Sequence, residues 1–299
     1  MDSKHNNIFR LHKVNSAAVI NLINNLTGIT KQDIRKIILA HKLDTAIYEH
    51  LKKSIAPKHA GPDTDRLSRR CTEIVGLIQQ SESKVTTYLD IGGGNGEFAI
   101  CMMNALKLGT AHVYEVDKWC GKKVHDVGKS TRLIEQADGS KLLLQFDIVS
   151  SDTINTTNAA NTTKLPYEDK SQDLITILMV LHHVKDLKSM LAEAARVLKA
   201  DGQLVIREHD CDGANVMALV NIEHNIYERV LSDNQSYDAE SQTYYISKKT
   251  LVAVAEKCGL VDRDKSATRV GKINKSYNMV FVHKTSMLFD DLIVDIDFM

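Results

Sequence analysis

The chain has 299 residues, 43% of them apolar and 25% charged, with 38 basic side chains balancing 38 acidic ones. That composition suits a globular protein that buries its own core. With only 3 prolines and 15 glycines it excludes a collagen-like or linker-dominated chain, and its zero net charge points to no partner. No apolar run approaches the ~20 residues needed to span a bilayer, so no membrane partner is expected. Residues 1–13 are polar and do not read as a signal peptide. The cysteines (Cys71, Cys101, Cys120, Cys211 and Cys258) are scattered without a C-x-x-C, which predicts free thiols in a reducing, cytoplasmic compartment.

In chain order, Val19, Ile20, Ile23 and Leu26 recur at helical spacing. A second helical run, Ile34, Ile37 and Ile38, follows Thr30, which with Asp33 resembles a capping box. Ile47, Leu51 and Ile55 continue the pattern, and Pro57, Gly61 and Pro62 mark a loop. Another helix is predicted from Arg66, Arg69 and Arg70 through Gln80. From residue 84 the apolar period shortens. Strands are predicted at 84–91, 111–117, 141–147, 173–180 and 203–208, with helices near 97–108, 119–136 and 186–199. Leu187, Met190, Leu191, Ala194, Val197 and Leu198 form one face of the last helix, and Asp201-Gly202 ends it. Residues 150–163 are polar and low in complexity, as in a surface insertion. Helices at 213–230 and 247–257 and strands near 260–268 and 276–284 complete the chain.

Alternating strands and helices predict an α/β protein: a mostly parallel sheet with helices on both faces and an N-terminal helical extension. The expected divisions are the extension (1–80), the sheet domain (81–284) and an acidic tail (285–299). Charge is uneven along them. Residues 1–80 carry 13 Lys/Arg against 7 Asp/Glu, 81–243 carry 16 against 24, 244–284 carry 9 against 3, and the tail carries four aspartates and no base. Two basic flanks around an acidic middle would attract a polyanion to a site between them, although a solvated surface of uneven composition fits equally.

The strongest local signal is Asp90-Ile-Gly92-Gly-Gly94-Asn-Gly96-Glu97, which closes the first predicted strand and opens the next helix. Glycines there allow a sharp turn and close approach of backbone to ligand. The alternation is G-x-G-x-G rather than the dinucleotide spacing G-x-G-x-x-G. The next strand ends Glu115-Val-Asp117, where an acid can accept both hydroxyls of a ribose.

With these motifs, the run LPYEDKSQDLITILMVLHHV and the later LKADGQLVIRE, the sequence resembles the class I S-adenosylmethionine-dependent methyltransferases over roughly 84–284. The resemblance implies a Rossmann-like sheet and S-adenosylmethionine as cofactor. By position, Asp90, Gly92, Gly94 and Gly96 would line its methionine end. Asp117 would hold the ribose, with Glu115 as the alternative. Asp147 would meet the adenine amino group, Ile148 would pack on the ring, and Val180 and Leu181 would line the channel to the sulfonium. The 17 residues between Asp147 and Leu165 depart from the shorter spacing of many relatives.

Arg207-Glu208-His209-Asp210-Cys211 follows the fifth predicted strand, and such polar residues are poor core material. Glu208 is a candidate acceptor for the guanine N1 and amino edge. Arg207 is a candidate for a phosphate or a neighbouring carboxylate, and His209 for stacking or hydrogen bonding. His182 and His183 are adjacent, so one at most is expected to face the pocket. No metal site is expected, because no second ligand cluster has recognisable spacing.

The string IREHDC resembles the mRNA cap guanine-N7 methyltransferase domain of capping enzymes from large cytoplasmic DNA viruses of the African swine fever type. This implies a viral protein acting in the host cytoplasm, with capped RNA and other domains or subunits of a capping enzyme as partners. Tyr244, Tyr245 and Tyr277 are then candidates for stacking on a base, and Arg66, Arg69, Arg70, Lys248 and Lys249 for phosphate contacts. Guanine N7 carries a free lone pair, so transfer would need positioning and no general base. The rival readings are a methyltransferase for a small metabolite or another RNA position, and a catalytically silent methyltransferase-like subunit.

Overall fold

The computed structural model describes residues 64–78, 84–116, 127–149, 164–211, 243–264, 268–270 and 276–286, with isolated positions at 21, 24, 30–32 and 220. Asp117, the predicted helices before residue 64 and most of the acidic tail lie outside the described residues. The chain divides into two units, 1–63 with 211–247, and 64–210 with 248–299. In the first, Cys211, Val220 and Tyr245 form a small buried cluster, and the Cys211 amide donates to the Ile246 carbonyl at 3.2 Å.

Among the described residues, the second unit is built on a nine-stranded sheet. Its elements are α1 (Thr64–Ile78), β1 (Tyr88–Ile91), α2 (Glu97–Leu106), β2 (Thr110–Val116), β3 (Gly128–Glu135), β4 (Lys141–Val149), β5 (Gln172–Leu178), a 3-10 turn (Leu181–His183), α3 (Leu187–Val197), β6 (Leu198–His209), α4 (Lys248–Lys257), β7 (Leu260–Asp262), β8 (Thr268–Val270) and β9 (Ser276–His283). The strand order is β3-β4-β2-β1-β5-β6-β9-β7, with β8 also on β9. The central five, β4-β2-β1-β5-β6, are parallel. Strand β9 runs antiparallel to β6, β7 and β8, and β3 runs antiparallel to β4.

Parallel strands need cover on both faces, and most of their buried residues are accordingly apolar. Tyr88, Val113, Leu144, Phe146, Leu174 and Val205 share one cluster with Cys71, Ile74 and Ile78 of α1 and Phe98, Ala99, Met102 and Met103 of α2. The alternate residues Leu89, Ile175, Leu204 and Ile206 are fully buried on the other face. Helix α3 buries Met190, Leu191, Ala194, Ala195 and Val197 along one stripe, and Asp186 caps it by accepting from the Ser189 amide at 3.0 Å.

One expected element is corrected. Residues 119–136 were expected to be helical, but 128–135 form strand β3. The apolar spacing there is weak, and the Asp138-Gly139 turn returns the chain directly into β4. Gly139 has φ +82, and the Ser140 amide donates to the Asp138 carboxylate at 2.9 Å. Sheet pairing to β4 over eight residues then outweighs a marginal helix. The expected Asp201-Gly202 helix stop instead lies inside β6, while α3 ends four residues earlier.

Two ionic side chains brace the amino ends of the strands, the sheet edge opposite the site. Arg196 of α3 donates to the Tyr167 and Leu165 carbonyls at 2.9 and 3.0 Å and pairs with Asp169 and Glu193, holding the loop 164–170 on the helix. Asp173 accepts from the amides of Thr86 and Thr87, both at 2.8 Å, and pairs with Lys199 at 2.7 Å. Burial pushes its carboxyl up, but Lys199 and the threonine bonds outweigh this and hold it well below the usual carboxylate range. Its contribution is therefore present above about pH 4 and is lost as pH falls through the depressed folded value. Asp173→Asn should destabilise the protein by about 2 kcal/mol in urea unfolding at pH 7. The difference from wild type should shrink steadily on acidification; a constant difference would contradict the assignment.

Candidate functional site

The site is built where β1 meets α2. The chain leaves Ile91 and turns through Gly92, Gly94 and Gly96 with φ of +74, +57 and +79, a conformation that side-chain-bearing residues rarely adopt. The Gly92 amide donates to the Tyr114 carbonyl at 2.7 Å, tying the turn to β2. A Cβ at Gly92 would lie 2.2 Å from Val180 Cγ2, and one at Gly96 would lie 2.3 Å from Leu144 Cδ2. These two glycines are therefore required by packing within the protein. Gly94 differs, because a Cβ there meets nothing within 4 Å.

Two buried carboxylates accompany the turn. Glu115 Oε2 accepts from the Gly94 amide at 2.7 Å. Asp90 Oδ1 accepts from the Thr176 hydroxyl at 2.6 Å, and the same hydroxyl bonds the Tyr88 hydroxyl at 2.8 Å. Asp90 Oδ2 is buried and has no hydrogen-bond partner among the described residues. Burial pushes the Asp90 carboxyl up to about 7; the Thr176 bond opposes the rise and Glu115 adds to it. A bare glycine cradle, an orphaned carboxylate oxygen and a second buried acid suit a ligand that is positively charged and packed closely on the backbone. S-adenosylmethionine, with its sulfonium and ammonium groups, fits that requirement. Asp90, Glu115 and Gly92–Gly96 are the residues that would hold it.

The remaining expected cofactor residues are placed as follows. Val180 lies against Gly92, and Leu181 is buried beside it at the start of the 3-10 turn. Ile148 is buried in the core cluster shared with α2. Asp147 points to the opposite face of β4, where its Oδ2 accepts from the Tyr167 hydroxyl at 2.8 Å and its Oδ1 lies 3.6 Å from Lys129 Nζ. There it lines a cavity of about 340 Å³ with His112, Lys129 and Tyr167. Sequence reasoning missed Thr176 and Tyr167. Thr176 was visible as the one hydroxyl inside the apolar strand ITIL; Tyr167 was within the LPY element but carried no role.

The residues expected to receive a guanine are largely committed inside the protein. Glu208 is 1% exposed. Its Oε1 bonds His182 Nδ1 at 2.7 Å and accepts from the His209 amide at 2.8 Å, while Oε2 accepts from the His182 amide at 3.2 Å. Burial pushes this carboxyl up, but His182 and His209 outweigh it and hold it below its ordinary value. Arg207 pairs with Glu73 of α1 at 3.1 Å. His182 and His209 are buried with ring centroids 5.0 Å apart, and His183 is partly exposed. Tyr277 is fully buried in β9 opposite Glu208, so it offers no open face for a base. Tyr245 is buried in the first unit, and Tyr244 is partly exposed there. Arg66, Arg69, Lys248 and Lys249 begin helices α1 and α4, with Arg70 half-buried near Arg207.

Residues 89–206 match a family model described as a methyltransferase domain. The chain is 32% identical over 120 residues to Ubiquinone/menaquinone biosynthesis C-methyltransferase UbiE of Bartonella henselae, covering 40% of each protein. It is 31% identical over 118 residues to 27-O-demethylrifamycin SV methyltransferase of Amycolatopsis mediterranei, covering 40% of this chain and 36% of that protein. It thus spans about two fifths of the length of these curated relatives. Among solved structures, a SAM-dependent methyltransferase from Methanosarcina mazei aligns over 69% of this chain and 95% of its own, at 16% identity and TM-score 0.41. A Pyrococcus horikoshii protein aligns over 72% and 90%, at 16% identity and TM-score 0.43.

Gly94→Ala separates binding from folding. The new methyl group meets open space, so the protein should fold with a loss of about 1 kcal/mol for the positive φ. Cofactor affinity by calorimetry should fall at least tenfold, because the methyl fills the cradle; unchanged affinity would place the cofactor elsewhere. Asp90 supplies a second prediction. A buried carboxyl with a raised pKa contributes stability below its unfolded value near 3.8, and this is lost as pH rises through about 7. Asp90→Asn should therefore gain on wild type by roughly 2–3 kcal/mol between pH 5 and 8 in the cofactor-free protein. A pH-independent difference would show that Asp90 is ionised throughout.

Proposed function

We propose, from the premise that residues 89–206 form a class I, S-adenosylmethionine-dependent methyltransferase domain, that this chain methylates a small-molecule acceptor. The observation that carries the reading is the state of Glu208. The carboxylate best suited by position to read a guanine edge is buried and bonded three times to His182 and His209. Tyr277 is likewise enclosed. With those groups committed, the argument for cap guanine N7 reduces to the charge map and the IREHDC string, both compatible with other acceptors. The curated relatives support the same direction: their names concern quinone biosynthesis and a demethylrifamycin, with transfer to carbon in the first.

The bound cofactor supplies an activated methyl group on a sulfonium. The chain's own contribution is placement. The glycine turn allows close backbone approach, and the Gly94 amide with Glu115 fixes the turn against β2. Asp90, held by Thr176 in an interior that water does not reach, offers its free oxygen to positive charge. The Gly92–Val180 contact sets the 3-10 turn against the cradle, so the segment expected to line the methyl channel is positioned by the cofactor loop itself. Holding donor and acceptor in line can supply most of the rate.

The test is a transfer assay with radiolabelled S-adenosylmethionine on three substrate sets: quinol and phenol small-molecule pools, capped RNA, and uncapped RNA. Label should enter the small-molecule fraction and be absent from both RNAs, and Gly94→Ala should lower it severalfold or more at sub-saturating cofactor. Labelling of capped RNA alone, mapped to guanine N7, would overturn the acceptor assignment while keeping the transferase. Absence of cofactor binding would overturn both.

A further inference from the structure

Outside the cofactor cradle, three ligating side chains meet at the carboxyl edge of the sheet. His182 comes from the 3-10 turn after β5, and Glu208 and His209 end β6. Each offers one ligand atom, and the three atoms lie within 4.8 Å of one another. All three residues are buried, at 2%, 1% and 5% exposure. We propose that His182, Glu208 and His209 form a binding site for a divalent first-row transition-metal ion.

The geometry is close to what such an ion needs. Ligand atoms about 2.1 Å from one centre lie ~3–3.4 Å apart when adjacent and at most ~4.2 Å apart, so the three groups, all within 4.8 Å of one another, need only small shifts of about 1 Å to share an ion. His182 Nδ1 and Glu208 Oε1 already meet at 2.7 Å through a hydrogen bond, whose proton an ion would replace with a slight widening of the pair. The donor set is two imidazole nitrogens and one carboxylate oxygen. That chemistry suits Zn²⁺, Fe²⁺, Co²⁺, Ni²⁺ or Mn²⁺; Ca²⁺ and Mg²⁺ prefer all-oxygen shells.

The ligands are also held in advance. The backbone amides of His182 and His209 both donate to Glu208, fixing the carboxylate between the two rings. Amides that orient a ligating carboxylate in this way are the usual outer partners of a metal site. A carboxylate placed among buried rings is costly unless compensated, and a divalent ion supplies more compensation than a shared proton. Three protein ligands leave coordination positions for water or for an oxygen of a bound molecule. The inference concerns ion binding and does not depend on the identity of the methyl acceptor.

The test uses the full chain, stripped with chelator and titrated with Co²⁺ and Zn²⁺ by calorimetry, with Co²⁺ also followed by visible absorption. One ion per chain should bind, with d–d bands and no thiolate charge-transfer band. His209→Gln and His182→Gln should each weaken binding by roughly tenfold or more. Folding of each variant is checked by circular dichroism. Glu208→Gln, which alters a fully buried group, is kept for confirmation, because the wild-type titration and the histidine variants already decide the matter. No stoichiometric binding to wild type, a thiolate signature, or unchanged affinity in folded His209→Gln would each overturn the site and leave a hydrogen-bonded polar cluster.

Discussion

The structure turns on the junction between β1, β2 and α2, where two acids and one glycine turn occupy the same few ångströms. The Gly92 amide reaches the Tyr114 carbonyl, and the Gly94 amide reaches the Glu115 carboxylate. These bonds run from the turn to the neighbouring strand, so the turn cannot move without breaking them. Asp90 sits beneath it, bonded through Thr176 to the adjacent strand, with one oxygen left over. Placing an acid in that position is unfavourable for the protein alone. A cationic ligand offsets the cost, and this is the physical reason to expect such a ligand there.

The other end of the site has a different character. Beyond Val180 the chain tightens into a 3-10 turn that delivers His182 to Glu208. Three of the groups expected to meet a capped RNA are engaged or enclosed inside the fold: Arg207 with Glu73, Glu208 with His182, and Tyr277 in β9. His182, Glu208 and His209 gather two imidazoles and a carboxylate in one buried cluster.

Much of this was legible in the amino-acid sequence. The alternation of strand and helix periods, the D-x-G-x-G-x-G turn and the acids ending the second strand follow from local rules. Backbone conformation at Gly92–Gly96 and apolar periodicity in α2 and α3 depend on residues a few positions apart. Those rules determined the α/β class, the parallel core and the place of the glycine turn. They failed at residues 128–135, where a weak helical pattern was overridden by pairing with β4 across the Asp138-Gly139 turn.

What only the tertiary structure decided is which polar side chains remain available. Position in sequence set Glu208 at the catalytic edge, but its partner His182 lies 26 residues away, and Thr176 lies 86 from Asp90. No spacing rule links such residues, because their contact is created by neighbouring parallel strands joined through long crossovers. Whether a carboxylate meets solvent or an imidazole depends on that packing, and so the pairings of Glu208 with His182 and of Asp90 with Thr176 came into view only in three dimensions.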